Sequence, residues 1–342
     1  MRTRLTDLAG QAGVSTATVS RVLNGKTGVS AQARQAVLAA LDVLGYERPE
    51  KLRTRSAGLV GLVVPELSNP VFPAFAQVIE SMLTQRGYTP LLCAQQPGGT
   101  TEDQYVEILL EHDVAGIVFV SGLHADTQAS PERYQALRAR GLPIVLVNGR
   151  AEAVDAPSVS ADDAVALDLA MRHLLALGHR SIGLAIGPER FVPARRKRQA
   201  FATLLRTHLG IEDDTEHVVP TLFTVEGGAT AAGELLDSGH TAIICGSDMM
   251  ALGAIRAARS RGMRVPEDLS VVGFDDSPLI PFTDPPLTTV RQPVQAMGHA
   301  AVSALMADIN GTPASRSELL FHPELVVRGS TGPAPAPGGT HP

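Results

Sequence analysis

At 342 residues the chain is long enough for two or three domains, each with its own core, and 44% hydrophobic with 19% charged residues is the balance of a soluble globular protein. No window approaches the roughly 18 apolar residues that span a bilayer, and the basic opening "MRTRLTDLAG" has no apolar run behind it, so neither a membrane anchor nor a secretory signal is expected and the location is cytoplasmic. Residues 1–55 hold nine Lys/Arg against four Asp/Glu, a net of +5, while the whole chain is −6, so a basic head on an acidic body predicts that only the head approaches a polyanion.

The first 45 residues read as three short helices. In Leu5–Ala12 the residues Leu5, Leu8, Ala9 and Ala12 recur at helical spacing, and Gly13 can end that helix in a left-handed conformation. Ser15 offers a hydroxyl cap to a second helix, Thr16–Leu23, with Val19, Val22 and Leu23 inward. Ser30 caps a third, Ala31–Leu44, where Val37, Leu38, Leu41 and Leu44 repeat. Two short helices joined by a glycine turn can cross closely only over small residues, which Ala9, Ala12 and Gly13 supply. This is a helix-turn-helix arrangement, whose second helix enters the major groove of DNA. Arg21 then forks onto guanine, Thr16 or Ala17 touches a thymine methyl, and Thr18, Ser20 and Asn24 bind phosphates. A core helix would show a wider apolar stripe than "TATVSRVL", and a solvated one would carry Glu and Lys.

After a charged link, residues 46–58, apolar runs alternate with amphipathic stretches. "LVGLVVPE" precedes Phe72–Arg86, "TPLLCA" precedes Glu102–Glu111, "AGIVFVSG" precedes Pro131–Arg140, and "PIVLVN" precedes Asp162–Leu177. The alternation resumes with "SIGLAIG" and Ala194–Leu209, Val218–Leu222 and Glu226–Leu236, "TAIICGSD" and Met249–Arg261, and "LSVVGFDD" closes the series. Strands buried on both faces and alternating with helices predict doubly wound parallel sheets, and residues 59–328 exceed one comfortable sheet, so two α/β lobes are expected. Cys93 and Cys245 sit in such apolar runs as reduced core thiols. Residues 329–342, rich in Pro and Gly, read as a disordered tail.

The run "LTDLAGQAGVSTATVSRVLNG…VSAQAR" resembles the DNA-binding head of the LacI/GalR family of bacterial repressors. The likeness continues through "GLVVPELSNPVFPAF", "LGHRSIGLAIGP", "SDMMALGAIRAARSRGMRVPEDLSVVGFDDS" and "PPLTTVRQP", nearly to Arg328. It implies an all-α helix-turn-helix head on a two-lobed, periplasmic-binding-protein-like core, a homodimer on a palindromic operator, and a small effector between the lobes. The family pattern also marks Arg4, Leu5, Ser15 and Ser30 among the DNA-facing positions. In the family, a hinge wedges a leucine into the minor groove. Leu52 stands in that place, but the link is about three residues shorter than usual, its proline follows Tyr46 by three residues rather than two, and "EK" replaces the usual small residues before the leucine. Phe72–Arg86 and Met249–Arg261 offer faces for the dimer.

A sugar site needs an aromatic shelf with carboxylates and amides for paired hydroxyls. Asp275, Asp248, Asn148 and Ser121 fall at strand ends, Phe72 begins a helix and Phe223 lies in a loop, each at a position resembling the family's cleft. Lys197, in "ARRKRQ", stands where the family usually has an effector-holding arginine, without the guanidinium fork, and Ser247 replaces a usual asparagine. A solvated helix face and a second DNA patch are the alternative readings of that basic run. Among subfamilies, "GYERPEKLR" and "DDSPLIPFTDPPLTTVRQP" look most like regulators of maltose or maltodextrin use.

Rival functions lack their signatures. A periplasmic sugar-binding protein would carry a signal peptide and no basic head. An NAD-type enzyme would carry G-x-G-x-x-G after the first strand, where "GLVG" instead precedes it, and a hydrolase would carry G-x-S-x-G. The ten histidines show no metal-ligand spacing, His179 reads as a helix-end residue, and no cofactor is expected.

Overall fold

The computed structural model describes residues 5–46, 56–96, 98–312 and 314–335. The chain divides into two compact units, one ending at Ala57 and the other starting at Gly58.

The first unit is three helices, α1 (Leu5–Ala12), α2 (Thr16–Leu23) and α3 (Ala31–Val43). Their core is Leu8, Ala9, Val19, Val22, Val37, Ala40 and Leu41, with Leu23 and Leu38 partly buried against it. Gly13 has φ +64°, and Val14 N–H donates to the Ala9 carbonyl at 3.1 Å, closing α1 before the turn. Ser15 caps α2 through the Thr18 N–H and Ser30 caps α3 through the Ala33 N–H. The expected inward stripe of α3 stops one turn short of its end. Leu44 is 38% exposed, because Gly45 (φ +68°) turns the chain and Ala40 takes the core position. Leu5 is likewise exposed at 39%.

The second unit contains two six-stranded sheets. The first-lobe sheet is built from β1 (Leu59–Val64), β2 (Thr89–Ala94), β3 (Gly116–Val120), β4 (Ile144–Val147), β5 (Ser158–Ala161) and β11 (Glu318–Phe321), in the order β11-β5-β4-β3-β1-β2, all parallel. Helices α4 (Val71–Gln85), α5 (Glu102–Glu111) and α6 (Glu132–Ala139) connect the early strands. The second-lobe sheet runs β12-β10-β9-β8-β6-β7, from β6 (Ile182–Ile186), β7 (Val218–Pro220), β8 (Ala242–Cys245), β9 (Ser270–Asp275), β10 (Thr288–Arg291) and β12 (Glu324–Val326). In this sheet β12 pairs antiparallel to β10. Helices α7 (Asp163–Ala176), α8 (Val192–Leu209), α9 (Val225–Asp237) and α10 (Asp248–Ser260) cover it. The inner strands β3, β4, β6, β8 and β9 are buried along their whole length, the burial that continuous Val/Ile runs predict for parallel sheets.

The lobes are not sequential halves. The alternation was expected to end at "LSVVGFDD", yet α11 (Val294–Ile309) follows β10 and returns to the first lobe. There Met297, Ala301, Val302 and Leu305 join the core of α4, Val118 and Val145. The chain then forms β11 in the first lobe and β12 in the second, so it passes between the lobes three times, before α7, before α11 and after β11.

The expectation of a disordered tail from residue 329 is corrected for residues 329–335. Ser330 is fully buried; its hydroxyl donates to the Val271 carbonyl (2.6 Å) and accepts from Thr288 N–H (2.8 Å). Gly332 N–H donates to the Ser270 hydroxyl and Ala334 N–H to the Leu177 carbonyl. His179, fully buried, lies within hydrogen-bond distance of Thr241, Ser270 and the Gly332 carbonyl. Small residues let this backbone lie against the starts of β9 and β10, where its polar groups are paired. Residues 336–342 lie outside the described residues. No described helix is long and apolar enough to cross a membrane.

Candidate nucleic-acid interface and ligand cleft

Helix α2 turns Val19 and Val22 into the core and leaves Thr16, Ala17 and Arg21 on one exposed face. Ser15 and Ser30 are exposed at the helix starts, but their hydroxyl oxygens serve as caps. Thr18 is partly buried, with its hydroxyl 2.9 Å from that of Ser15. The Asn24 amide donates to the Ser20 carbonyl at 2.8 Å, closing the last turn of the helix. Thr18 and Asn24 therefore brace α2 as well as bordering its outer face. Arg34 reaches from α3 to the Lys26 carbonyl at 3.3 Å and fixes the loop after α2, which leaves Lys26 exposed; sequence spacing alone does not single Lys26 out. Arg4 and Leu52 lie outside the described residues.

Between the lobes lies a cavity of about 600 Å³, within the range of small-molecule sites. Its walls are the C-terminal ends of the strands of both sheets: Pro65 after β1, Ser121 after β3, Asn148 after β4, Ala161 at the end of β5, Pro188 after β6, Gly246 after β8, Asp275 at the end of β9 and Gln292 after β10. Six of the seven anticipated ligand residues line it: Phe72, Ser121, Asn148, Lys197, Phe223 and Asp275. Three of these hold left-handed backbone, Ser121 at φ +47°, Asn148 at +63° and Asp275 at +118°. Such strain, about 1–3 kcal/mol per residue, is a frequent mark of ligand sites.

Asp248 is the exception and a correction. It is 1% exposed at the start of α10 and does not line the cavity. One oxygen accepts from Ser277 N–H at 2.7 Å and the other from the Thr289 hydroxyl at 2.6 Å. Burial raises its pKa to about 6. The sequence placed it correctly after a strand, but the helix that it begins turns its carboxylate backwards into the lobe. Ser247, beside it, does face the cavity while capping α10.

Several lining residues were not anticipated. Phe191 and Phe274 join Phe72 and Phe223 as aromatic walls. The Phe223 ring is seated on Gly187, where a Cβ would lie 2.0 Å from it, so only glycine leaves room for that shelf. Gln292 donates its amide to Asp275 at 2.6 Å, and Gln95 donates to the buried Glu102 at 3.3 Å, which leaves both side-chain carbonyl oxygens as acceptors for a ligand. Asn69 is the converse: its side-chain oxygen accepts from Val71 N–H at 3.3 Å, leaving the amide to donate. Phe274 looked like strand core because its neighbours are; only its place one residue before the strand's end was a signal.

The basic run on α8 is occupied by carboxylates. Lys197, 4% exposed, is paired with Asp163 and sits 3.9 Å from the centre of the Phe274 ring. Arg196 makes two 2.8 Å bonds with Glu318, and Arg198 pairs with Glu189 and Asp214. That pairing removes the second-DNA-patch reading of Arg196, Lys197 and Arg198. Burial raises the pKa of Asp163 against the opposing pull of Lys197. Burial also raises that of Asp275 well above 3.8, with Asp248 adding to the shift and Gln292 and Lys197 opposing it.

This geometry, amides and hydroxyls around aromatic walls, suits a polyhydroxylated ligand. Among the described residues no group of three or more His, Cys, Asp or Glu could hold a metal ion.

Comparison with known proteins gives the same two parts. Residues 4–49 match the model of bacterial regulatory proteins of the lacI family, and residues 171–331 match a periplasmic binding protein-like domain. The HTH-type transcriptional regulator MalR of Streptomyces coelicolor is 61% identical over 342 residues, covering 99% of each chain. Among solved structures, the transcriptional regulator CelR–cellobiose complex superposes with a TM-score of 0.72 at 31% identity over 96% of this chain and all of that one. The lac repressor dimer bound to operator and an anti-inducer superposes with a TM-score of 0.70 at 28% identity over 97% of this chain and all of that one. With that identity over nearly its full length, the chain belongs to the lacI family of bacterial regulatory proteins.

Proposed function

We propose that this protein is a cytoplasmic transcriptional repressor that binds a palindromic operator as a homodimer and releases it when a small saccharide occupies the cleft. The observation that carries the DNA role is the exposed face of α2, with Thr16, Ala17 and Arg21 together on a helix pinned at both ends. Small side chains there admit the helix to a major groove, and the arginine reads guanine. One three-helix head covers one half-site, so a dimer is needed for a palindrome.

The saccharide reading rests on the aromatic walls and the amide acceptors and donors of the cleft. The cellobiose held by CelR, a β-linked disaccharide of glucose, supports a neutral glucose disaccharide as the class of ligand, and the relatedness to MalR favours the α-linked members, maltose or a maltodextrin. No catalytic step is assigned: the ligand shifts an equilibrium between DNA-binding states through its differential affinity for them.

Selection of genomic fragments by the purified protein, with sequencing of those retained, tests the reading. Enrichment of a short palindrome that maltose or maltotriose abolishes is expected. Retention without sequence preference would overturn the operator role, and enrichment only in the presence of sugar would make the ligand a co-repressor.

A further inference from the structure

The cationic side chains at the cleft share a feature that nothing in the family likeness required. Among the described lining residues the cations are Arg190, Arg196 and Lys197, and each is already matched with a carboxylate. Lys197 is paired with Asp163 inside the cleft wall. Arg196 is held by both oxygens of Glu318 at 2.8 Å, and Arg190 lies 3.2 Å from Asp126. Two of these pairs run between lobes, since Arg190 and α8 belong to the second lobe, whereas Asp126 and β11 belong to the first. Thr127 adds two 2.8 Å bonds to the Arg190 carbonyl beside the outer pair.

We propose that these three ion pairs make the cleft selective for an uncharged polyol and that Glu318 and Asp126 are specificity-determining residues, excluding the phosphorylated or otherwise anionic form of the same sugar. The proposal rests on the saccharide reading of the site and deepens it. An anionic ligand entering this cavity finds no unmatched positive charge among the described lining residues. It either remains uncompensated in a partly desolvated cleft or breaks a pair and strands a carboxylate, and each is costly. A neutral sugar needs only the amides and hydroxyls that remain, and leaves the pairs whole. Because two of the pairs span the lobes, an anion that took Arg196 or Arg190 for itself would also release the lobe contact that its own binding needs. Charge rejection and lobe closure are thus the same contacts.

The test is calorimetric titration of the full chain with maltose and with α-maltose 1-phosphate, for the wild type, Glu318→Gln and Asp126→Asn. Each substitution keeps the shape of the side chain and frees an arginine charge. The wild type is expected to prefer maltose by at least tenfold. Either substitution is expected to shift the ratio of affinities toward the phosphate by about tenfold. That shift corresponds to roughly 1.4 kcal/mol. Equal binding of both ligands by the wild type, or a substitution that weakens both by the same factor, would overturn the charge selectivity and leave the saccharide reading standing. Binding of neither ligand by the wild type would refute the saccharide reading itself, and this inference with it.

Discussion

Arg21 stands on the exposed face of α2 beside Ala17 and two turns from the capped start at Ser15, where a guanidinium can reach a base edge without first leaving a protein partner's pocket. Arg21→Ala is expected to cost roughly 1–3 kcal/mol of operator affinity and to relax preference at one base step in each half-site. Binding to a panel of operator variants checks this; a uniform loss across the panel would assign Arg21 to phosphate instead. Asp275 supplies a second residue-level expectation. Its folded pKa lies above its ordinary 3.8, so its contribution to stability is full below that pH and is lost as pH rises through the folded value. Asp275→Asn escapes that loss while keeping an acceptor for Gln292. Its melting temperature should therefore gain on the wild type as pH rises above 4, and a constant gap would show that Asp275 ionises freely. The strand-end rule found Asp275, Asn148 and Ser121, because parallel strands deliver their last residues to one edge. It overreached at Asp248, which starts a helix and turns away from that edge. The carboxylates Asp126 and Glu318 escaped it because they sit far along the chain from the arginines that they hold.

Helices α9 and α10 approach so closely that a Cβ on Gly253 would lie 2.0 Å from the Val225 carbonyl oxygen, and one on Gly228 2.1 Å from that of Met250. The obstacle is backbone, which cannot swing aside. Gly253→Ala should cost about 1–3 kcal/mol, read as a lowered urea midpoint; an unchanged midpoint would show that the helices separate freely. The segment after Arg328 is also structural. Ending the chain at Arg328 would strip partners from Ser270 and His179. Each buried polar group left unpaired costs about 1–3 kcal/mol, so the shortened protein should melt several degrees lower. A melting temperature equal to that of the full chain would restore the disordered-tail reading. Elements with a strong local signature were legible: β2 and α5 have the bounds their patterns predicted, "TPLLCA" and Glu102–Glu111. Those that depend on distant partners were not. β5 is only "SVSA", with no apolar run to mark it, and β11, "ELLF", has an apolar run of just three residues, half exposed at a sheet edge and with no helix after it to complete the alternating pattern. α11 is rich in Ala, with its one glycine, Gly298, fitted against Val78 of α4, and its role is fixed by a helix more than 200 positions earlier.

At the scale of the whole molecule, the uneven charge and the alternation of strands and helices made the division into a basic head and two α/β lobes legible, since both are averages over long stretches. The passages between the lobes were not, and it is they that make the cleft a place where a ligand touches both lobes at once. Occupancy of this cleft by a neutral saccharide should change affinity for DNA. The most direct measurement is fluorescence anisotropy of a labelled operator, taken from the fragments the protein retains, titrated with the protein at one fixed salt concentration, with and without saturating maltose. Maltose is expected to weaken operator binding by tenfold or more and to leave the weaker binding to unrelated DNA unchanged. If maltose binds the protein and the operator curve does not move, the cleft and the head are not coupled, and the claim is contradicted.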